Sequence, residues 1–198
     1  MHTSSLEHVE RLVGTYLSAQ AALNIVDIGS YDVNGSYRPF FDRPGWRYCG
    51  VDLVAGPNVD VVLQSPYRLP MRSHSADLIV SGQVFEHVEF FWLTWLEMVR
   101  VLKPGGLIFL LAPSRGPEHR YPQDCWRFYP DGYRALAAYG SLELLDVSTD
   151  WQPHEAQDSA AWGDTVGVFR QPALSQLQRW RRILMQRLRY RLLPGYRR

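Results

Sequence analysis

The stretch that most constrains the fold is residues 24–35, which read NIVDIGSYDVNG. Its first half is apolar apart from Asp27, which is typical of a buried strand, and we predict that this strand ends at Gly29. The polar residues that follow favour a loop, with a helix starting near Gly35. In open α/β sheets, ligands bind just outside the carboxyl ends of the strands, where a glycine lets the backbone approach a ligand closely. The sequence therefore predicts a ligand-binding loop directly after the first strand.

Strands and helices alternate between residues 24 and 112, which predicts a parallel sheet with right-handed crossovers. An amphipathic helix precedes the first strand, with Ser4 and Glu7 at the spacing of a capping box. A longer amphipathic helix is predicted at 84–102 and a short one at 132–139. The remaining strands are predicted at Trp46–Asp52, 59–63, Ala76–Gly82, 107–112, 142–147 and 162–169. The last two can pair antiparallel, so one edge of the sheet is expected to differ from the rest.

The distribution of charge divides the chain into an acidic body and a basic tail. Residues 171–198 hold eight arginines and no acidic residue, so the other 170 residues carry 13 basic (21 − 8) and 20 acidic side chains, a net charge of −7. We predict a domain at 1–170 and a basic amphipathic helix at 171–198. Docking of this helix on the acidic body or on a second subunit is favoured over an anionic membrane surface. Nucleic acid is disfavoured as a partner because the body lacks a basic patch.

The two cysteines, Cys49 and Cys125, are too few for a disulfide framework or for a zinc site built on cysteine pairs. The first twelve residues lack the basic and apolar regions of a signal peptide, and no apolar run approaches the ~20 residues needed to span a bilayer. These features predict a cytoplasmic protein with reduced cysteines.

An acid at the end of the second strand suits the ligand loop after the first. Asp52 comes 23 residues after Gly29, a spacing at which a carboxylate accepts hydrogen bonds from a ribose. The full dinucleotide fingerprint GxGxxG is absent, because Tyr31 occupies the place of its second glycine. A pyrophosphate would approach the backbone there, so a nucleoside without phosphates is favoured over a dinucleotide. The alternative is an ordinary glycine at a strand end and a solvated aspartate.

Four segments then show a resemblance: IVDIGSYDVNG, GVDLV, YRLPMRSHSADLIVSGQVFEHV and VLKPGGLIFLLAP. Their order and spacing resemble those of class I S-adenosylmethionine-dependent methyltransferases, in particular the methyltransferase domain 11 type, over residues 24–140. The resemblance implies a Rossmann-like, mostly parallel seven-stranded sheet of order 3-2-1-4-5-7-6, with strand 7 antiparallel and helices on both faces. It also implies S-adenosylmethionine as the cofactor.

Family roles pass to the matching positions of this chain. Asp52 would hold the ribose hydroxyls, Ser65 would lie beside the adenine where the family often has an aspartate, and residues 81–83 would face the transferable methyl group. The cofactor-binding residues that the resemblance implies are Asp27, Gly29, Ser30, Asp52, Leu53, Gln64, Ser65, Ser81, Gly82 and Gln83.

Two histidines are candidates for the base that a protonated acceptor requires, because histidine titrates near neutral pH. His119 lies in the loop after the fifth strand, which in this fold covers the acceptor side, and it is preferred over His87. Each could instead be structural, His87 by bonding to backbone and His119 as a surface loop residue. Some relatives bind a divalent metal through Glu-x-x-Glu-His at the place of His87, but this chain has Gln83 first, a poor ligand for a hard cation. We predict no required metal.

The loop at 119–128 combines aromatic, acidic and basic side chains, which suits a polar ring such as a sugar. Similar loops occur in relatives that act in glycan or natural-product pathways. The predicted substrate-binding residues are Tyr121, Asp124, Trp126 and Arg127. The alternative is an aromatic lid that packs on its own domain.

The sequence thus predicts methyl transfer from S-adenosylmethionine to a hydroxyl of a small-molecule acceptor, such as a sugar or glycoconjugate. Two other functions remain open. One is a nicotinamide-dependent oxidoreductase, which Tyr31 disfavours, and the other is a non-catalytic binding module with a methyltransferase-like fold.

Overall fold

The computed structural model of the protein describes residues 2–173 together with Leu184 and Leu188, and a seven-stranded sheet forms its centre. The strands are β1 (Leu23–Ile28), β2 (Trp46–Asp52), β3 (Val61–Val62), β4 (Ala76–Gly82), β5 (Leu102–Arg115), β6 (Glu143–Thr149) and β7 (Gly163–Arg170). Their order across the sheet is β3-β2-β1-β4-β5-β7-β6. β7 runs antiparallel to both β5 and β6, and the other pairs are parallel. The predicted fold is confirmed.

Helices cover both faces of this sheet. They are α1 (Thr3–Tyr16), α2 (Phe91–Val101) and α3 (Pro130–Gly140), with short 3₁₀ turns at Arg38–Phe41 and Phe85–His87. Because successive strand residues point to opposite faces, Leu78 and Val80 belong to the core cluster under α1, whereas Ile79 belongs to the cluster under α2 and α3. In the second cluster the buried Trp95 donates from Nε1 to the Leu136 carbonyl at 2.9 Å, which joins α2 to α3.

The predicted long helix at 84–102 is wrong, because the chain leaves the helical conformation between Phe85–His87 and α2. Val88 is extended there, with φ −97° and ψ 112°. The carbonyl of Glu86 accepts hydrogen bonds from the N–H groups of Cys125 and Trp126, at 2.7 and 3.3 Å. A distant loop therefore takes the acceptor that a continuous helix would have used. Strand β5 also begins earlier than predicted, because Leu102 already pairs with Ala76 of β4.

The predicted capping box of α1 is wrong as well. The helix begins at Thr3, and its N-cap His2 makes no side-chain capping hydrogen bond. Instead the N–H of Thr3 donates to Asp158 Oδ2 and that of Ser4 to Ser159 Oγ, both at 3.0 Å. The free N–H groups of the first turn are thus satisfied by a segment more than 150 residues away. Residues near Gly35 form no α-helix, only the 3₁₀ turn that follows.

Most of the predicted basic helix at 171–198 lies outside the described residues. Leu184 and Leu188, which are described, have helical conformation and are 60% and 45% exposed. The docking of this segment and the boundary at residue 170 stay predictions. Within the described part of the chain, no helix has the length and apolar character needed to cross a membrane.

Candidate active site

The loop after β1 and the end of β2 meet at one carboxylate. Asp52 Oδ2 accepts the N–H of Tyr31 at 3.2 Å, and its Oδ1 accepts the N–H of Val54 at 3.0 Å. Each carboxylate oxygen can accept two hydrogen bonds, so both retain a free lone pair for the hydroxyls of a ribose. The neighbouring Leu53 is exposed and offers apolar surface to a base. These residues fit the nucleoside part of S-adenosylmethionine.

Close packing restricts which residues can occupy the loops after β1 and β2. Gly29 has φ +79°, and a Cβ added to it would lie 2.0 Å from Val84 Cγ2, so neither the backbone nor the space admits a side chain. The ring of Tyr31 lies over Gly56 in the loop after β2, where an added Cβ would be 2.1 Å from Tyr31 Cε2. Tyr31 therefore packs against the loop after β2.

Two predicted cofactor residues have internal partners instead of facing an open site. Asp27 is fully buried and accepts a hydrogen bond from the Tyr48 hydroxyl, and burial raises the pKa of Asp27 to about 7. Ser30 is also buried, and its Oγ donates to the Asn58 carbonyl at 3.1 Å. Asn58 Nδ2 donates back to the Ser30 carbonyl at 2.9 Å and to the Tyr48 hydroxyl at 3.1 Å. Asn58 was missed by sequence reasoning, although its position in a Gly-Pro-Asn turn was a signal.

The end of β4 connects the predicted methyl-facing residues to α1 and β7. Gln83 is in the left-handed region with φ +59°, and its Nε2 donates to the buried Asp164 Oδ1 at 2.9 Å. A Cβ on Gly82 would lie 1.9 Å from the hydroxyl of Tyr37, which itself lies 2.6 Å from Ser5 Oγ. A left-handed residue other than glycine at a strand end is often found at functional sites.

The three remaining residues of the predicted cofactor-binding set are Ser81, in β4, and Gln64 and Ser65, after β3. Ser81 Oγ is buried and has no hydrogen-bond partner among the described residues. Past β3, Gln64 is exposed, while Ser65 Oγ accepts the N–H of Tyr67 at 3.2 Å and shapes the turn.

A second group of side chains gathers after β4 and β5. Glu86, His87 and His119 each offer a ligand or proton-accepting atom, and these atoms lie within 4.8 Å of one another. The Glu86 side chain is completely buried, and neither of its oxygens has a hydrogen-bond partner in the described part of the chain. Burial raises the pKa of Glu86 to about 8. The sequence predicted the two histidines separately, and the fold brings them together with Glu86.

The ring of His87 is oriented by backbone. Its Nδ1 lies 2.5 Å from the carbonyl of Gln123, which can only accept, so Nδ1 carries the proton. The Gln123 side chain in turn donates to the His87 carbonyl at 3.0 Å. Nε2 keeps its lone pair and lies 3.6 Å from Glu86 Oε1. Burial lowers the pKa of His87, which keeps the ring neutral at pH 7. His87 thus makes the hydrogen bond to backbone that is expected of a structural histidine. This bond uses only Nδ1, so Nε2 remains able to accept a proton or bind a ligand.

His119 is held by a carboxylate that is itself held by an arginine. Asp124 Oδ2 accepts the backbone N–H of His119 at 2.8 Å and lies 3.4 Å from the ring Nδ1. Arg127 donates to both oxygens of Asp124, at 2.5 and 2.8 Å, and these bonds hold the pKa of Asp124 well below its usual range. The rings of His87 and Trp162 lie edge-on to that of His119, with centroids 4.7 and 4.6 Å away.

The predicted substrate-binding residues therefore divide into two pairs. Asp124 and Arg127 bind each other within the loop, so they position His119 and have less capacity left for an acceptor. Trp126 Nε1 donates to the Val88 carbonyl at 3.1 Å, and the Trp126 ring lies edge-on to Phe91, as the lid alternative expects. Tyr121 remains 61% exposed and free to contact a ligand.

Comparison with known proteins identifies the domain. Residues 26–110 match the family model described as a methyltransferase domain. An uncharacterized methyltransferase of Mycobacterium leprae is 31% identical over 164 residues, covering 73% of this chain and 58% of the relative. Another, of Mycobacterium sp. strain KMS, is 36% identical over 163 residues, covering 73% and 62%. The chain carries a class I S-adenosylmethionine-dependent methyltransferase domain. The family and the cofactor predicted from the sequence are confirmed.

Solved structures share the fold of this methyltransferase domain at low identity. The 1,6-didemethyltoxoflavin-N1-methyltransferase of Burkholderia thailandensis, solved with bound 1,6-didemethyltoxoflavin and S-adenosylhomocysteine, has a TM-score of 0.67 at 15% identity over 86% of this chain and 79% of its own. The [4+2]-cyclase SpnF has a TM-score of 0.65 at 13% identity, covering 85% of this chain and 82% of its own. The fold alone therefore does not determine the reaction, and the chain spans only about three fifths of the length of the curated relatives it matches.

Proposed function

We propose that this methyltransferase domain transfers the methyl group of S-adenosylmethionine to a hydroxyl group of a small molecule, with sugars and glycoconjugates as the acceptor class. The observation that carries the proposal is the cluster of Glu86, His87 and His119 at the carboxyl end of β4 and β5. The carboxyl ends of parallel strands lie at one edge of the sheet, so this cluster shares its edge with Asp52. The proposed nucleoside site and the proposed proton acceptor would thus lie at the same edge of the sheet.

Positioning is the main demand of this reaction. When bound, S-adenosylmethionine supplies a methyl group on a positively charged sulfur that is already activated for in-line displacement. Asp52 would hold the ribose, and the backbone at Gly29 and at residues 81–83 would border the methionine part. Holding two reactants in line can be worth several powers of ten in rate, because the entropy of alignment is lost on binding.

A hydroxyl acceptor must also lose its proton, and His119 is the group we propose to accept it. Asp124 lies beside Nδ1 of His119, so a proton on that nitrogen leaves Nε2 as the base, and the nearby carboxylate stabilises the imidazolium that forms. Arg127 keeps Asp124 ionised for this role. Glu86 stays largely protonated at pH 7 and so does not compete for the proton.

Exposed aromatic rings support a sugar as acceptor. Tyr129 and Trp151 lie nearly parallel, with an interplanar angle of 11° and centroids 6.2 Å apart, and Trp151 is 62% exposed. Tyr121 is exposed in the loop that carries His119. Aromatic faces pack on the C–H surfaces of sugar rings, while polar groups around them bind the hydroxyls.

Replacing Asp52 by alanine tests the cofactor site. We expect Asp52→Ala to weaken binding of S-adenosylhomocysteine by about 1–3 kcal/mol, the cost of losing hydrogen bonds to a charged acceptor. Isothermal titration calorimetry measures the effect, and thermal shift with excess ligand checks it. Asp131→Ala is the matched control, since the Asp131 side chain is 94% exposed and lies on α3.

Three outcomes would contradict the proposal. Equal affinities of Asp52→Ala and the unchanged protein would remove Asp52 from the site. Binding of NADH without binding of S-adenosylhomocysteine would favour the oxidoreductase. Binding of neither ligand would favour a non-catalytic module.

A further inference from the structure

The carboxylate of Glu86 has an environment that methyl transfer does not explain. It is completely buried, and neither oxygen has a hydrogen-bond partner within the described residues. Burying a polar group without a partner is unfavourable, so such groups in folded proteins nearly always bind something. Ring nitrogens of two histidines, His87 and His119, lie within 4.8 Å of the Glu86 carboxylate, and His87 Nε2 is 3.6 Å from Glu86 Oε1.

We propose that Glu86, His87 and His119 form a binding site for a divalent transition metal ion, with Zn²⁺ favoured over Mg²⁺. Two imidazole nitrogens and one carboxylate are the ligands of many zinc sites that keep a fourth position open. Binding of the ion would release the proton of Glu86, because a carboxyl group coordinates a metal ion in its ionised form. Mg²⁺ prefers oxygen ligands and octahedral geometry, which this set does not supply. The three ligand atoms already lie within 4.8 Å of one another.

A hydrogen bond orients the ring of His87, and a carboxylate lies beside the ring of His119. The proton on His87 Nδ1 faces the Gln123 carbonyl at 2.5 Å, which points Nε2 at the cluster. The carboxylate of Asp124 lies 3.4 Å from Nδ1 of His119 and is fixed by Arg127. Metal-binding histidines usually donate their other ring N–H to a carbonyl or a carboxylate in this way.

This site differs from the one that the sequence led us to reject. The prediction of no metal rested on Gln83, and Gln83 is indeed directed away, toward Asp164. The third ligand comes instead from His119, 32 residues beyond His87, which no local motif reveals. The proposed ion is also not required for turnover, so the earlier prediction concerning a required metal is unaffected.

Occupation of the site has a consequence that rests on the proposed function. The lone pair that binds a metal ion is the lone pair that accepts a proton, so the two compete for His119. We therefore expect Zn²⁺ to inhibit methyl transfer to a hydroxyl and a chelator to restore it.

Direct metal binding tests the site without any assay of activity. The untagged full chain is titrated with Zn²⁺ against a chromogenic chelator, and with Co²⁺ while the visible absorption is followed. We expect one Zn²⁺ per chain, an intense tetrahedral Co²⁺ spectrum, and no displacement of Zn²⁺ by excess Mg²⁺. Glu86→Gln and His119→Ala should each weaken Zn²⁺ binding at least ~10-fold.

Two control variants separate this site from other donors. His8→Ala removes a ligand of the second cluster of metal-binding type, His8, Asp150 and Asp164. In this cluster His8 already pairs with Asp150, and Asp164 accepts a hydrogen bond from Gln83. Cys125→Ser removes an exposed thiol in the loop at 119–128. Both should bind Zn²⁺ as the unchanged chain does. Loss of binding in either one, or unchanged binding in Glu86→Gln, would overturn the site.

Titration of the same samples with S-adenosylhomocysteine distinguishes the two proposals. Binding of S-adenosylhomocysteine without binding of Zn²⁺ overturns the metal site and leaves the proposed function intact. Binding of Zn²⁺ without S-adenosylhomocysteine supports the metal site and overturns the proposed function.

Discussion

Replacing His119 by alanine is expected to lower turnover by about 10²–10⁴-fold, the usual contribution of a general base, while the affinity for S-adenosylhomocysteine stays unchanged. The loss follows from the position of His119, whose Nδ1 lies 3.4 Å from Asp124 and whose ring lies edge-on to that of His87. Turnover is measured as S-adenosylhomocysteine released in metal-free buffer, with the best acceptor from a panel of sugars and other hydroxyl compounds.

The matched control is His154→Ala. His154 also pairs with a carboxylate, at 3.0 Å from Glu7 Oε2, but it lies beside α1 and away from the cluster. It should keep normal turnover. If His119→Ala and His87→Ala both retained near-normal turnover, base catalysis by histidine would be wrong. Loss of activity on treatment with a chelator would contradict the prediction that no metal is required.

Replacing Glu86 by glutamine is expected to change how stability depends on pH. Burial raises the pKa of Glu86 from 4.5 to about 8 in the folded protein, so the folded state keeps a proton that the unfolded chain has released. Between these two values the folded state binds more protons, and its free energy of unfolding therefore falls as pH rises. Above pH 8 the deficit is on the order of 3–5 kcal/mol, at about 1.4 kcal/mol per unit of pKa.

Glu86→Gln lacks this titration, so its free energy of unfolding should rise relative to that of the unchanged protein as pH increases from 5 to 8.5. Denaturant unfolding in the presence of a chelator measures the difference. The new amide can change the free energy of unfolding by the same amount at every pH. The change with pH, and not the absolute difference, therefore tests the assignment. Burial also raises the pKa of Asp27, to about 7. Asp27 is present in both proteins, so its contribution to the pH dependence cancels in the difference between them. Glu89→Gln, at an exposed position, should follow the unchanged protein. Parallel curves for Glu86→Gln and the unchanged protein would contradict the assignment.

Local patterns in the sequence were sufficient to predict several strands of the sheet. Strands β2 and β4 occur at their predicted bounds, because a short apolar run bounded by turn residues is sufficient to define a buried strand. The pairing of Gly29 with Asp52 followed from the rule that ligands bind at the carboxyl ends of strands. The strand order came from the resemblance to a family and not from periodicity.

Only the tertiary structure decided the features that join distant segments. The helix predicted at 84–102 breaks because the loop near residue 125 takes the carbonyl of Glu86. The first turn of α1 is capped from residues 158 and 159 instead of by its own serine. His87, His119 and Glu86 form one cluster because β4 and β5 pair side by side. Hydrogen bonds and packing between such segments depend on folded geometry, which a pattern read along the chain does not contain.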